Sequence, residues 1–427
     1  LNYEPYEWKP EHSLVIAKLM AWELNISWWT DIAYTHIVQK LGEEKAREII
    51  PDYPQNSPTI IPQGIKGFAQ VPLDLIHIDR QFRELTGFTG THIGSNGWAA
   101  GGAASQSGKA LLANDPHLSF QAPGKWIVAI IRGGNWNVQG FTLPGLPAVV
   151  IGSNKNVAWG VTNVMADDAD FYVEKLDDSK TKYFLDGEWR PLKIEKDSVI
   201  VKDSAKVYFD VKKTHSGTII TDIHANNFLL KTDKINKAVL SMRWTALEFS
   251  DEFRGIFSLN KAANWEEFKN ALSDFTVPGQ NFVYADKWGN VGYVCAARLP
   301  VRNSNSPTFV YDGTTSASDW RGFVPYEQMP KLFNPPDNFI ATANNKTVRD
   351  FGYHISNLWE PSSRIERITE LLKSRARHSK YDFMRYQTDQ ISPYAKEIKG
   401  YIEPAFKEAK VNDERLKKAI EMIKRWD

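Results

Sequence analysis

Apolar positions between about Ser13 and Ile50 recur at helical spacing, first Leu14, Ala17, Leu19, Leu24 and Ile26, then Ile32, Ile37, Val38 and Leu41. Steps of three and four put such residues on one helix face, and a break near Asn25-Ile26-Ser27 divides the stretch into two or three helices. The segment "PDYPQNSPTIIPQG" replaces that period with Pro, Asn and Ser, which predicts a loop serving as a linker or processed segment. From Ser95 onward the texture changes to short β-type runs punctuated by Gly and Pro: "SNGWAAGGA", "ALLAND", "WIVAIIRG", "WNVQGFTL", "AVVIGSN" and "VAWGVTNV". A stack of antiparallel strands is the expectation. Further strands are predicted at "SVIVKDSAKVYFDV", "GTIITD" and "FVYADKWGNVGYV", and helical patterns return at "NWEEFKNALSDF", "SSRIERITELLKSR" and the tail. The whole reads as a layered α+β architecture without internal repeats or low-complexity tracts.

At 427 residues the chain exceeds the size at which one core usually keeps growing, so a large layered domain or two domains are expected. Hydrophobic residues at 42% and charged residues at 24% exclude a disordered or collagen-like chain. The 15 Trp admit two readings, an apolar or sugar-like ligand site, or large aromatics filling a sheet-rich core. A net charge of +1 supplies no long-range field for nucleic acid or anionic lipid. The single Cys295 forms no intramolecular disulfide and has no neighbouring Cys or His of zinc-site spacing. No apolar run reaches the roughly 18 residues of a membrane span. The chain begins at Leu1 without a signal pattern and stops inside the amphipathic "KKAIEMIKRWD", so further sequence is expected at both ends.

Common catalytic signatures fail. "GGAASQSGKA" has the look of a phosphate-binding loop, but Gly102 and Gly108 stand one position too far apart and Ala110 follows Lys109 where Ser or Thr is needed. Ser95 has Ile93 two residues before it, so the G-x-S-x-G elbow is missing. None of the nine His falls in H-E-x-x-H or another metal spacing.

The stretch "THIGSNGWAAGGAASQSGKALLANDPHLSF" resembles the start of the β-chain in the penicillin acylase family. Members open it with Ser-Asn-x-Trp, met here as Ser95, Asn96 and Trp98, followed by an Asn-x-Pro-His/Gln turn, met here as Asn114, Pro116 and His117. "LPGLPAVVIGSNKNVAWGVTNVMADDADFYVEKL" is similar to the family's Pro-Gly, Gly-x-Asn and Trp-Gly run leading into an Asp cluster. The likeness continues through "KKTHSGTII", "SMRWTA" and "GQNFVYADKWGNVGYVCAARLPVR" and is weakest in the first ninety residues. It implies a four-layer αββα N-terminal-nucleophile hydrolase. Residues 1–94 would be the C-terminal part of a helical α-chain plus a spacer peptide, and 95–427 a β-chain that stays associated with it.

In that arrangement cleavage between Gly94 and Ser95 frees the Ser95 α-amine. With an ordinary pKa near 8, the amine accepts the hydroxyl proton at neutral pH, so nucleophile and base share one residue. Gly94 offers no side chain to crowd the attack. Both residues lie inside one continuous sequence, as expected of an uncut precursor. The competing local reading is a turn, since every letter of "GSNG" favours one. The resemblance implies an oxyanion site made by the Asn163 backbone N–H and the Asn281 side-chain amide, with Asn163 larger than the residue some relatives carry. His117 stands where the family has Gln or His and would relay protons or orient Ser95, or else be satisfied by its own turn. Arg302 is similar to the family's Arg near the nucleophile, or is a surface Arg.

Asp167, Asp168 and Asp170 crowd three carboxylates into four residues, which like-charge repulsion opposes unless a cation offsets it. Oxygen ligands suit calcium. The family's structural calcium implies Asp167 and Asp170 as ligands together with Asp31, shorter than the family's Glu, and a solvated acidic turn is the alternative. No organic cofactor is implied. By position, Leu118, Ile151 and Trp244 would line an aliphatic acyl pocket, although core packing accounts for the same residues. The favoured substrates are acyl-homoserine lactones or similar aliphatic N-acyl amides. A β-lactam acylase is the second enzyme reading. A Trp-rich calcium-binding recognition module is the non-enzyme reading, which would keep the Asp cluster and have no use for Ser95. The sequence itself leaves the compartment open, and the resemblance implies the periplasm or the outside of the cell.

Overall fold

The computed structural model describes residues 7–25, 27–50, 94–119, 122–221, 239–303, 309–407 and 411–425. The helical opening forms two helices, Pro10–Leu24 and Ser27–Ile49. They part where the pattern breaks, and the Asn25 side chain accepts from the Trp28 N–H at 3.1 Å, satisfying a donor that the second helix leaves open at its start. Gly42, with φ of 76°, kinks that second helix. The Pro-rich stretch and the rest of the expected spacer, 51–93, lie outside the described residues.

A seven-stranded antiparallel sheet runs in the order Lys331–Phe333, Val291–Ala296, Gln280–Asp286, Val157–Asn163, Ile151–Asn154, Trp136–Thr142, Ile127–Gly133. Strand alternation gives it two apolar faces. Val157, Trp159, Val161, Phe282 and Tyr284 pack on the helices Glu252–Lys261 and Trp265–Ala271 through Leu259 and Phe268. On the opposite face Val283 and Ala285 join Ala99, Tyr293, Cys295 and Ile340. There lies a three-stranded sheet in the order Leu111–Asp115, Asn96–Ala100, Phe339–Thr342. Its outer face is covered in turn by the helices Ser363–Lys373 and Lys380–Gln387, where Trp98, Ala100 and Ala341 meet Ile365, Leu372, Phe383 and Tyr386. The layers therefore run helix, sheet, sheet, helix. Both faces of the central strands are covered, which is why "NFVYAD" and "VGYVCA" read as nearly unbroken apolar runs.

A six-stranded sheet, in the order Lys193–Val199, Val207–Lys213, Thr218–Ile219, Val239–Trp244, Ala169–Glu174, Tyr311–Asp312, carries the two opening helices. Ala21, Trp28 and Ile32 pack there on Phe171, Leu240 and Met242. Tyr311–Asp312 pairs parallel with its neighbour, a departure from the antiparallel expectation. Trp28, Trp98, Trp159 and Trp244 are all buried core side chains, so for these four the packing explanation of the Trp count holds. Among the described residues no helix is long and apolar enough to cross a membrane.

Candidate active site

Ser95 lies at the head of the strand Asn96–Ala100, the middle strand of the three-stranded sheet, and is buried between the two sheets. One side chain fixes that position. The Asn114 amide donates to the carbonyls of Asn96 at 2.7 Å and Val161 at 2.9 Å and accepts from the Val161 N–H at 3.0 Å, stapling the smaller sheet to the larger. Gly160 makes room for it, since a Cβ there would stand 2.8 Å from that of Asn114. The Asn-x-Pro-His and Trp-Gly motifs are thus two halves of one contact.

Ser95 Oγ accepts two hydrogen bonds, from the Asn163 N–H at 3.3 Å and from Asn344 Nδ2 at 3.0 Å. The Ser95 N–H donates to Asn344 Oδ1 at 2.8 Å. Arg364 donates to the Ser95 carbonyl at 2.9 Å, to Asn96 Oδ1 at 2.7 Å and to Asn344 Oδ1 at 3.0 Å. Guanidinium and backbone N–H groups only donate, so the Asn344 oxygen must face them and its NH2 must face Ser95 Oγ. Asn344 also holds a φ of 62°, a left-handed conformation that Asn tolerates better than most residues.

The structure brings together Gly94, Ser95, Asn163 and His117; Asn281 meets this group through the Asn163 carbonyl and not through Ser95, and Arg302 lies in the acidic cluster. The Gly94 N–H donates to the His117 carbonyl at 2.9 Å. A Cβ on Gly94 would stand only 2.6 Å from His117 Nε2, so a side chain there would displace the imidazole. His117 Nδ1 meets an Asp115 carboxylate oxygen at 3.0 Å, a contact that, against some burial, lowers the Asp115 pKa. Asn163 does not narrow the site with its side chain, which bonds the Leu24 carbonyl at 2.8 Å and the Met165 N–H at 2.9 Å. Asn281 is set back from Ser95. Its NH2 donates to Thr162 Oγ1 at 3.0 Å and to the Asn163 carbonyl at 3.2 Å, and its oxygen accepts from the Tyr293 hydroxyl at 2.6 Å. Asn344, not Asn281, supplies the side-chain amide at Ser95, because the strand Phe339–Thr342 pairs directly with Asn96–Ala100 and delivers the residues after it to the Ser95 end of that strand. Arg364, not Arg302, is the cation there. The pairing Gly97↔Thr342 joins positions far apart in the chain, which no local motif announces.

Leu118 is half-buried next to His117. Ile151 sits in the core cluster with Val138 and Trp159, and Trp244 packs edge-on to Trp22 at 5.6 Å. The described contacts of these two are those of core side chains.

Arg302 belongs to the acidic cluster. Asp31, Asp167 and Asp170 are fully buried and offer carboxylate oxygens within 4.8 Å of one another. Arg302 lies 2.7 Å from Asp170 Oδ2 and 3.1 Å from Asp167 Oδ2, and His354 Nε2 lies 3.0 Å from the latter. Asp31 Oδ2, Asp167 Oδ1 and Asp170 Oδ1 are buried without a hydrogen-bond donor. Burial, with the charges of Asp167 and Asp170 behind it, pushes Asp31 well above the usual carboxylate range. Burial likewise raises Asp170, against the pull of Arg302. Asp168 stands apart, accepting from Asn25 at 3.0 Å and Thr245 at 3.3 Å, with its carboxyl pushed up to about 7 by burial and by Asp167. Three buried carboxyl groups with unused oxygens close together are a donor set that fits a hard cation such as calcium.

Comparisons with known proteins give the chain its relatives. The acyl-homoserine lactone acylase QuiP of Pseudomonas aeruginosa is 28% identical over 93% of this chain and 48% of its own length. The penicillin acylase 2 proenzyme of a Pseudomonas species is 25% identical over 98% and 54%. Penicillin G acylase of Escherichia coli is 29% identical over 80% and 40%. The chain thus spans about half the length of these relatives. A solved structure of thermostable penicillin G acylase from Alcaligenes faecalis superposes with a TM-score of 0.63 at 24% identity, over 78% of this chain and 59% of that one, which shows a shared fold. The sequence model of the family described as penicillin amidase matches residues 1–427. With that match across its whole length, the chain belongs to the penicillin amidase family.

Proposed function

We propose that this chain carries the catalytic centre of an amidohydrolase in which Ser95, freed by cleavage after Gly94, attacks the carbonyl of a linear N-acyl amide. The observation that carries the reading is the pair of donors converging on Ser95 Oγ, the Asn163 N–H and Asn344 Nδ2. Once Oγ bonds the acyl carbon, the substrate's carbonyl oxygen lies next to Oγ, within range of these same two donors, which would then stabilise the oxyanion that develops there. Once the Gly94–Ser95 bond is cut, the nitrogen that donates to Asn344 Oδ1 is a primary amine, and that same bond aims it. Its lone pair takes the proton from Oγ as the Oγ–acyl bond forms and returns it to the leaving amine. Water then hydrolyses the acyl-enzyme with the amine again as base. Arg364 acts twice: it fixes the orientation of Asn344, and its charge beside Ser95 disfavours protonation of the amine, which keeps the base in its active form.

Asp31, Asp167 and Asp170 would hold a calcium ion whose part is structural, tying the helix Ser27–Ile49 to the segment leading into the strand Ala169–Glu174. For the substrate we favour an acyl-homoserine lactone or a similar aliphatic N-acyl amide. The name of the Pseudomonas aeruginosa relative and the aliphatic Leu118 beside His117 support this. A β-lactam acylase, which hydrolyses the side-chain amide of a penicillin or cephalosporin, is the second reading, supported by the names of the two penicillin acylase relatives. Measuring amine release from matched N-acyl-homoserine lactones and penicillins separates the two. Faster turnover of the lactones supports the first, and turnover of penicillins alone overturns it.

A further inference from the structure

Neutral imidazole carries its proton on one nitrogen, and a carboxylate bound to that nitrogen decides which. His117 Nδ1 lies 3.0 Å from Asp115 Oδ2 and 3.2 Å from the Asp115 carbonyl, and both only accept, so Nδ1 carries the hydrogen and Nε2 presents a lone pair. Nε2 is the atom lying against Gly94, where even a methyl group would collide with it, and the Gly94 N–H is tied to the carbonyl of the same histidine. In the uncut chain Ser95 has no free amine, so the base used on external substrates does not yet exist.

We infer that Asp115 and His117 form the proton-carrying pair for cleavage of the Gly94–Ser95 bond, with Asp115 as the residue that positions His117. The step rests on the reading of Ser95 as nucleophile. Nε2 takes the Oγ proton as Oγ bonds the Gly94 carbonyl carbon, then passes it to the Ser95 nitrogen as the C–N bond breaks. The product is an ester of Gly94 on Oγ with a free α-amine. Water hydrolyses that ester, leaving a carboxylate on Gly94 and restoring the Ser95 hydroxyl. The charged groups that face the pair are Arg364, which helps hold the Asp115 pKa down, and Asp115 itself; Asn96 Nδ2 adds a contact to Asp115 Oδ2 at 3.4 Å. Asp115 is about half exposed and His117 about a third, so small molecules in solution reach them.

The test follows release of a Ser95 amino terminus by mass spectrometry in the full chain and in Asp115→Asn, Asp115→Glu and His117→Ala. Asp115→Asn keeps the shape and a contact to Asn96 and should slow cleavage by about tenfold or more, as expected for losing an aligned acid–base group. Asp115→Glu should recover part of that rate. Added imidazole should speed His117→Ala and leave the unaltered chain unchanged, a response that a purely structural role does not produce. Cleavage of Asp115→Asn at the unaltered rate, with that chain itself cleaving, overturns this inference and leaves Ser95 standing. An unaltered chain that never cleaves overturns both.

Discussion

At the scale of single residues, the centre depends on which asparagine faces Ser95. Asn344→Ala removes a donor to Oγ and an acceptor for the Ser95 nitrogen, and should lower kcat by about a hundredfold or more with little change in KM. Asn281→Ala should behave differently. It strips a buried partner from Thr162, the Asn163 carbonyl and Tyr293, so the loss belongs to stability, about 1–3 kcal/mol in chemical denaturation. A result in which Asn281→Ala cripples turnover at full stability, while Asn344→Ala does not, reverses the two assignments. Cys295 makes a simple control. Burial pushes its thiol up to about 12, so thiol reagents should leave it unmodified in the native chain and label it after unfolding.

At the scale of elements, the motifs were informative where they reflect local geometry and silent where they depend on distant pairing. Ser95, Asn114, His117 and Gly160 lie within one stretch of chain whose turns and strands can be read from the order of residues. Asn344 and Arg364 reach Ser95 only because Phe339–Thr342 zips onto Asn96–Ala100, and Phe339–Thr342 is four residues long with no alternation to mark it. The one local hint was the paired Asn344-Asn345 at a strand end, in a left-handed turn. Arg302 misled for the opposite reason. Its "LPVR" context matches the family run, yet the strand Pro300–Arg302 points it into the acidic cluster. The Asn114–Gly160 contact gives this scale its own test. Gly160→Ala places a methyl against Asn114 and should cost about 1–3 kcal/mol of stability by overpacking, with slower cleavage after Gly94. Unchanged melting and cleavage remove the staple from the account.

At the scale of the whole molecule, a layered α+β architecture followed from the residue pattern, because long apolar runs and helical spacing survive any detail of connection, while the helix, sheet, sheet, helix order came from the resemblance to the penicillin acylase family. The six-stranded sheet with its parallel partner did not, since Tyr311–Asp312 is too short to carry a pattern. The acidic cluster ties the opening helices to the catalytic layers and sets a pH dependence. Without a cation, Asp31, Asp168 and Asp170 have raised pKa values in the folded chain, so between about pH 4 and pH 7 these three groups bind more protons in the folded state than in the unfolded one. The cluster's contribution to the stability of the metal-free protein should therefore fall as pH rises through that window. Calcium should raise Tm at pH 7 and flatten the decline, because it replaces those protons. A Tm at pH 7 indifferent to both calcium and chelator removes the ion from the structure.

The central claim is that Ser95 becomes an amino-terminal nucleophile, and the intact mass of the purified chain after incubation at neutral pH tests it most directly. The account predicts a fragment beginning at Ser95 in the unaltered protein and an uncut chain in Ser95→Ala. An unaltered chain that stays whole, or a Ser95→Ala chain cut at the same place and rate, contradicts it.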